Sequence, residues 1–363
     1  MRLRRLRLSN FRNVAFADAP LDHPRVFLLG GNGQGKTNLL EAAGMLTALR
    51  SFRTQDISLL VRHGEKAAQI GFSLTHETEG DTEISLTLEP PKKTLLVDGE
   101  LVRQLGDFAG RFPAVPFCAA DIALLRGAPA ARRRWLDIVV AGGDAAYFDA
   151  LRRYHAALAG RNALLKQPAT QTAQLSAFEK TLAPAAAKIT TARRAALEAL
   201  GRSLGRLCAE IGLPENSAAL AYAQDSAPGA GDTPAWETFF VRQRSIDILL
   251  RSTQRGPHRD DFSFSLGGYP ARDAASEGQQ RALVLGLELA WLERLRESRP
   301  VAPVVLADDI LGELDPVRKA GFWRTLGSGC QVIATGTVLP PDASSWHVLD
   351  VDNGSYHEQD APC

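Results

Sequence analysis

Residues 30–37 read Gly-Gly-Asn-Gly-Gln-Gly-Lys-Thr, and the reading of this stretch decides the fold. A glycine, four residues and then Gly-Lys-Thr is the spacing of a phosphate-binding loop. Gly31, Gly33 and Gly35 permit the tight backbone path that turns successive N–H groups inward onto an anion. Lys36 is assigned to the β- and γ-phosphates of a nucleotide and the Thr37 hydroxyl to a Mg²⁺ ion. Gly30, Asn32 and Gln34 complete the cradle. The flanks agree. Val26-Phe27-Leu28-Leu29 is an apolar run suited to a buried strand, and Asn38-Leu39-Leu40-Glu41-Ala42-Ala43 opens a helix.

The composition bounds what such a loop can serve. The chain has 363 residues, 45% hydrophobic and 23% charged, which allows a large core and about two domains. Its 42 basic and 41 acidic residues nearly cancel, so a nucleic-acid partner has to be sought in local basic patches. Cys118, Cys208, Cys330 and Cys363 lie far apart with no Cys-x-x-Cys pair, which speaks against a zinc ribbon or a disulfide scaffold. The basic opening, residues 1–11, has no apolar stretch behind it, and no apolar run approaches the ~18 residues that span a bilayer. A cytoplasmic protein without a membrane partner is expected.

Upstream of the loop, Leu3, Leu6 and Leu8 alternate with Arg2, Arg4, Arg5 and Arg7. They predict a strand with one buried face, read as a solvated edge whose arginines deter aggregation or meet phosphates. Asn10-Phe11-Arg12-Asn13 is read as the turn towards the phosphate-loop strand. Downstream, Arg50-Ser51-Phe52-Arg53-Thr54 is a basic connection. β-rich runs follow over residues 68–74, 83–88 and 94–97, with Asp98-Gly99 as a hairpin turn before residues 100–103. They predict an antiparallel layer on the nucleotide-binding core.

From residue 130 to about 212 the texture changes to Ala, Leu and Arg at helical spacing. Tyr147, Leu151, Tyr154, Leu158 and Leu165 form one stripe, interrupted by Arg161. Leu197, Leu200, Leu204, Leu207 and Ile211 form another. A break at Pro168-Ala169-Thr170 makes them antiparallel helices of an inserted lobe, too short for a long coiled-coil arm. Arg132-Arg133-Arg134 reads as a solvated basic face or a phosphate contact. Residues 225–235 read as a Gly/Pro/Asp-rich joint, and Phe262, Phe264 and Leu266 alternate up to a Gly267-Gly268 hairpin.

Val304-Val305-Leu306-Ala307-Asp308-Asp309 is an apolar strand ending in two carboxylates, the Walker B pattern. Asp308 is assigned to Mg²⁺ and Asp309 to orienting or deprotonating the attacking water. Aspartate where glutamate is commoner predicts a slow catalyst. So wide a separation from Lys36 points away from small P-loop kinases and GTPases and towards a split head. Ser276-Glu277-Gly278-Gln279-Gln280-Arg281 opens a helix and is similar to the ABC signature, a hydroxyl and a backbone N–H at a helix N-terminus. Ser276, Gly278 and Gln279 are therefore assigned to the ATP of a second protomer. Leu311-Gly312-Glu313-Leu314-Asp315 matches the D-loop. The expected fold class is α/β, an ABC-type P-loop ATPase head with an antiparallel β layer and an inserted helical lobe. Residues 1–129 and 255–363 are read as the ATPase lobe and 130–254 as the insertion.

Taken together, these stretches resemble the RecF family of bacterial DNA replication and repair proteins over essentially the whole chain. The resemblance is carried by Leu8-Ser9-Asn10-Phe11-Arg12-Asn13, the phosphate loop, Ser51-Phe52-Arg53-Thr54, Arg126-Gly127-Ala128-Pro129 on to Asp137, the signature and Asp308-Asp309. Gly256-Pro257-His258-Arg259-Asp260-Asp261 is the most discriminating. It implies an ATP-dependent homodimer on gapped or single-strand/double-strand junction DNA, with slow DNA-stimulated ATP hydrolysis. It also implies work with RecO and RecR to load recombinase during repair and replication restart. The chain departs from related heads in three places. Pro116-Phe117-Cys118-Ala119-Ala120-Asp121 offers Asp121 where a Gln-loop is usual. Thr335-Gly336-Thr337 stands where a switch histidine is common, and either threonine is a candidate γ-phosphate sensor. Gln280 lies at a variable signature position and discriminates little. A transporter ATPase subunit and a nuclease-associated SMC-like ATPase are the alternatives. The first usually carries Leu-Ser-Gly-Gly-Gln and the second longer arms. Candidate DNA contacts are Arg4, Arg50, Arg53, Arg132 and Arg133.

Overall fold

The computed structural model describes all residues except 55, 169–171, 224–227, 229–230, 328, 341–342 and 359–363. The first strands are β1 (Arg2–Phe11), β2 (Val14–Pro20) and β3 (Arg25–Leu29), and helix α1 (Lys36–Ala48) follows the phosphate loop. Next come β4 (Ala68–His76), β5 (Gly80–Glu89), β6 (Lys92–Val97), β7 (Glu100–Leu101) and β8 (Ala114–Cys118). The middle of the chain holds α2 (Pro129–Ala141), α3 (Ala145–Leu165), α4 (Thr172–Glu210), β9 (Ala218–Ala223) and α5 (Thr233–Leu249). The last third holds β10 (Asp261–Leu266), β11 (Tyr269–Pro270), α6 (Glu277–Ser298), β12 (Val304–Asp308), α7 (Pro316–Leu326), β13 (Val332–Gly336), β14 (His347–Asp352) and β15 (Ser355–Glu358).

Contacts divide the chain into two compact units. One comprises Met1–Asp121, Arg206–Glu215 and Arg281–Cys363, the other Ile122–Gly205 and Asn216–Gln280. The division therefore falls eight residues before the expected start of the insertion, at 121/122 rather than 129/130, and after Gln280 rather than residue 254. Sheet pairing explains the second difference. β10 pairs antiparallel with β9 from Asp261↔Ala223 to Leu266↔Ala218, which ties residues 261–266 to the inserted unit.

The first unit has two sheets. In one, β14, β3, β13, β12 and β8 run parallel, with β15 added antiparallel, in the order β15-β14-β3-β13-β12-β8. Parallel strands covered on both faces read as unbroken apolar runs, and Val304, Val305, Leu306 and Ala307 are all fully buried. Pro116 sits on β8, at the edge of this sheet, where a missing N–H is tolerated. The second sheet is antiparallel, in the order β2-β1-β4-β5-β6-β7. Asp98 and Gly99 both take positive φ, 49° and 80°, in the β6–β7 turn that the Asp-Gly pair predicts. Helix α1 is buried at every residue from Leu39 to Ala48 and shares one apolar core with the inward faces of both sheets.

Two local expectations are corrected. Strand β1 is no edge: it lies between β2 and β4. Its arginines meet aspartates across the sheet, Arg4 with Asp81 at 3.3 Å and Arg5 with Asp18 at 3.4 Å. The segment Asn10-Phe11-Arg12-Asn13 turns the chain into β2, not directly into β3. The three-residue step from Leu3 to Leu6 has its own cause. The β1–β4 register shifts between Leu3 and Arg5, so the bulge returns Leu6 to the inner face beside Leu3. Gln331 satisfies the backbone at that bulge. Its Oε1 accepts from Leu3 N at 2.7 Å, and its Nε2 donates to Leu3 O, Leu21 O and His23 O at 2.8, 2.6 and 3.1 Å.

In the second unit, α3 and α4 run antiparallel: Gly160 abuts Phe178, Arg161 pairs with Glu179, and Leu164 and Leu165 cluster with Leu175. The expected break at Pro168-Ala169-Thr170 falls partly outside the described residues, as does most of the expected joint at 225–235. Arg161 interrupts the stripe because it is itself a core residue. It is fully buried and donates to Asp247 at 2.7 Å, Thr253 at 2.7 Å and Glu179 at 3.1 Å. A buried guanidinium is tolerated only with such partners.

Candidate active site

The phosphate loop sits between β3 and α1, at the C-terminal end of the parallel strands, where open α/β sheets bind ligands. Gly33 and Gly35 take φ of 80° and 112°, in the left-handed region that glycine reaches without strain. Side chains and backbone groups from outside the loop hold its outer side. Asn13 Nδ2 donates to Gly33 O at 3.1 Å, Gly354 N to Gln34 O at 2.8 Å, and Tyr356 Oη to Gly35 O at 3.0 Å. The Gln34 side chain turns to the C-terminal hairpin, where its Oε1 accepts from Asn353 N at 2.7 Å. Lys36 is buried, and its Nζ donates to Gly30 O and Gly31 O at 2.7 and 2.8 Å.

The two Walker B carboxylates are brought to this loop by β12. Thr37 Oγ1 donates to Asp308 Oδ1 at 2.9 Å. Thr335, at the end of the neighbouring β13, donates to the same oxygen at 3.0 Å and accepts from Asp309 N at 2.9 Å. Its hydroxyl is therefore committed to both carboxylate residues and is only 1% exposed, which corrects its reading as a γ-phosphate sensor. Asp309 takes φ 54°, unusual for a non-glycine residue, and lines the cleft with Lys36 and Thr37. Burial raises the Asp308 pKa, and the neighbouring Asp309 adds to this, while the Thr37 and Thr335 hydroxyls pull it down. Asp121 also belongs to this constellation. Its half-buried carboxylate accepts from Cys118 N at 2.7 Å, and Cys118 pairs in register with Asp308. Burial, reinforced by Asp308, pushes its pKa up to about 7 despite the Cys118 amide.

Arg53, read from sequence as a possible DNA contact, lines this same cleft. It donates to Asn38 and to Glu41, each at 3.0 Å. Glu41 is fully buried on α1 and also receives Arg12 twice, at 2.9 and 2.6 Å, and the Ser51 hydroxyl. One carboxylate thus collects Arg12, Ser51 and Arg53. Sequence reasoning missed it because Glu41 looks like an ordinary helix residue.

Ser276, Gly278 and Gln279 lie in the second unit, at the start of α6. Ser276 and Gln279 form a reciprocal cap: Gln279 N donates to Ser276 Oγ at 3.3 Å and Ser276 N to Gln279 Oε1 at 2.8 Å. The Gln279 side chain is turned back on its own helix. Gln280 is structural. It is buried, accepts from Arg126 at 2.6 Å and donates to Arg272 O and Ala275 O at 3.0 Å. Arg132 is neither solvated nor open to a phosphate. It is buried against Asp261, at 2.7 and 2.9 Å, and against Leu124 O and Gly127 O. Arg133 donates to Asp260 O at 3.0 Å. The D-loop backbone is described and Asp315 caps α7, but the side chains of residues 311 and 313 lie outside the described residues.

The donor set fits a nucleotide triphosphate with a hard cation. A cleft of about 300 Å³ is lined by Asn32, Gly33, Gly35, Lys36, Thr37, Asn38, Arg53 and Asp309. A side chain added at Gly33 would meet nothing within 4 Å. Among the described residues no cluster of three or more metal-ligating side chains occurs. One hydroxyl and one carboxylate, Thr37 and Asp308, suit Mg²⁺, which commonly completes its shell with water and substrate phosphates. No helix among the described residues is long and apolar enough to cross a membrane.

No family model matches the chain. Individual proteins do. It is 35% identical over 355 residues to the DNA replication and repair protein RecF of Thermosynechococcus vestitus, covering 95% of this chain and 93% of that one. It is 36% identical over 348 residues to RecF of Myxococcus xanthus, covering 93% and 91%. A solved structure of the recombination mediator protein RecF with ATP, in the RecFOR pathway, superposes with a TM-score of 0.88 at 29% identity, over 99% of this chain and 98% of that one. An SMC head bound to the C-terminal winged-helix domain of ScpA shares the fold, with a TM-score of 0.52 at 14% identity. At that identity, coverage and superposition, with the phosphate loop and Walker B carboxylates meeting as described, the chain belongs to the RecF family of DNA replication and repair proteins.

Proposed function

We propose that this chain is an ATP-gated DNA clamp of recombinational repair and replication restart. The observation that carries the reading is the meeting of Thr37 with Asp308 at 2.9 Å beside Lys36 and Asp309, because it joins motifs from opposite ends of the chain into one phosphate-facing cleft. In this reading the N–H groups of residues 30–37 bind the β- and γ-phosphates of ATP. Lys36 exchanges its Gly30 and Gly31 carbonyl partners for phosphate oxygens. Thr37 and Asp308 hold Mg²⁺, which when bound neutralises charge on the phosphate oxygens. Asp309 orients the attacking water and accepts its proton. Ser276 and Gly278 of a second copy close over the γ-phosphate from a helix N-terminus, so ATP binding favours a homodimer and hydrolysis releases it. The exposed position of Ser276 at the start of α6 supports this reading.

The dimer is proposed to clamp gapped or junction DNA and to work with RecO and RecR in loading recombinase, with slow hydrolysis stimulated by DNA. ATP hydrolysis by the purified chain, with and without gapped duplex, tests this. A slow rate that rises with DNA is expected. A rate indifferent to DNA sinks the clamp while leaving the ATPase. Lys36→Arg should retain some ATP binding with little turnover, because a planar guanidinium does not reproduce the ammonium point charge. Normal turnover in that variant would remove Lys36 from the mechanism.

A further inference from the structure

Three consecutive carbonyls of the phosphate loop are held from outside by groups that no nucleotide motif contains. Gly33 O accepts from Asn13 on the β1–β2 turn, Gln34 O from the Gly354 amide in the β14–β15 turn, and Gly35 O from the buried Tyr356 hydroxyl of β15. A trans peptide is planar, with its C=O and the following N–H pointing in opposite directions. Tying the carbonyls of residues 33, 34 and 35 outward therefore aims the N–H groups of Gln34, Gly35 and Lys36 inward. We infer that Asn13 and the C-terminal hairpin bearing Gly354 and Tyr356 are positioning elements that pre-form the phosphate cradle, so that nucleotide affinity is set from both ends of the chain.

The local geometry makes the hold specific. Asn353 and Gly354 take φ of 48° and 80°, which forms the tight turn that presents the Gly354 amide to Gln34. A side chain at Gly30 would strike Val351 O at 2.4 Å, and one at Gly35 would meet Gly354 Cα and Tyr356 Oη at 3.4 Å. Gly30 is thus required by its approach to β14, whereas at Gly35 the contacts are ordinary and the φ of 112° is what calls for glycine. Gly35 O already accepts from the Asn38 and Leu39 amides of α1, at 3.0 and 3.2 Å. The Tyr356 hydroxyl is therefore not needed to satisfy that carbonyl. What it adds is a further hold, from the C-terminal hairpin, on a carbonyl that the first turn of α1 already directs. Asn13 is itself fixed, accepting from Asn38 Nδ2 at 2.5 Å.

This inference rests on the ATP-binding reading, and its test separates the two. The full-length chain and its Tyr356→Phe, Asn13→Ala and double variants are titrated with ATP and with ADP in the presence of Mg²⁺, and melted without nucleotide. Losing one net hydrogen bond that orders the loop should weaken binding about 3- to 10-fold in each single variant. KM for ATP should rise more than kcat falls, and the melting temperature of Tyr356→Phe should stay close to that of the parent. Parent-like affinity in both single variants overturns the inference while leaving the nucleotide site in place. So does a lowered melting temperature with unchanged affinity, because it makes the contacts merely structural. A parent chain that binds no ATP refutes the underlying reading instead. Asn13→Ala acts from a different element, so the inference stays testable even where Tyr356→Phe folds poorly.

Discussion

Replacing Thr335 by valine separates the two Walker B carboxylates from the hydroxyl that couples them. Valine keeps the shape and removes a donor to Asp308 Oδ1 at 3.0 Å and an acceptor from Asp309 N at 2.9 Å. A hydrogen bond to a charged group contributes ~1.5–3 kcal/mol, and a buried amide left without an acceptor costs ~1–3 kcal/mol. Asp308 keeps the Thr37 hydroxyl, so the larger effect falls on Asp309. That residue stands at φ 54°, a conformation that costs a non-glycine residue ~1 kcal/mol or more and persists only where neighbours hold it. Without the Thr335 anchor the backbone relaxes towards the right-handed region and swings the carboxylate out of the cleft. A barrier raised by ~1.4–2.7 kcal/mol lowers kcat about 10- to 100-fold. KM for ATP should change less than ~3-fold, because the hydrogen bonds that shape the phosphate loop are untouched. The Thr335 hydrogen bond also lowers the Asp308 pKa, so its removal moves the acid limb of the rate profile to higher pH. Thr335→Ser should keep most activity. Steady-state hydrolysis across pH decides the matter, and a valine variant with kcat within about two-fold of the parent refutes the reasoning.

Three further predictions concern stability. Gln331→Leu removes the side-chain partner of Leu3 N, Leu3 O and His23 O, leaves Leu21 O with the His23 amide alone, and should cost about 2–5 kcal/mol in denaturant unfolding. Arg161→Met leaves Asp247 and Glu179 buried with a partner missing and should cost ~3–5 kcal/mol, whereas the double change with Asp247→Leu should recover part of it. Asp121 binds its proton more tightly folded, near pKa 7, than at its ordinary 3.8. Between those values the folded chain holds more protons than the unfolded one, so stability falls as pH rises through that window. Asp121→Asn removes the loss. Thermal melts should find it close to the parent near pH 4 and more stable at pH 8, by on the order of 2 kcal/mol after allowance for solvent screening. A constant difference across pH would exclude Asp121 as the source.

How much of this was legible in the sequence follows from how far each residue's partners lie. The phosphate loop, β12 and the Asp98-Gly99 hairpin are local patterns, in which spacing, burial period and turn residues sit within about ten positions. The pairing of Thr37 with Asp308 was legible for a different reason: each motif is recognisable alone, and both are needed for one chemistry. Gln331 carries no such mark. It is a lone glutamine whose partners are near the chain's first residue, and only the bulge in β1 makes it necessary. Arg132 was misread, and Arg161 read only as an interruption, for one shared reason. Arginine is usually solvated, and sequence gives no sign that Asp247, Glu179 and Asp261 will be folded against it. Tyr356 was invisible because its partner is a backbone carbonyl, and any residue has one.

The stretches on which the resemblance to the RecF family rests do mostly structural work. Asn13 supports the loop, Arg12, Ser51 and Arg53 converge on Glu41, and Arg126 braces Gln280. Residues 256–261 form a junction of buried and half-buried polar groups. His258 meets Tyr154 at 2.7 Å, Pro257 O accepts from Arg193, Asp260 pairs with Tyr222 and Arg193, and Asp261 with Arg132. Arg193 in turn holds Asp137, the residue at which the Arg126-Gly127-Ala128-Pro129 stretch ends. The residues assigned to phosphate and Mg²⁺ are those that any such ATPase needs, because the chemistry is the same. Burial lowers the His258 pKa to about 4, which keeps this junction neutral at that position through ordinary pH. Protonating it needs acid, and because the unfolded chain binds that proton more readily, stability falls as pH drops from about 6.5 towards 4.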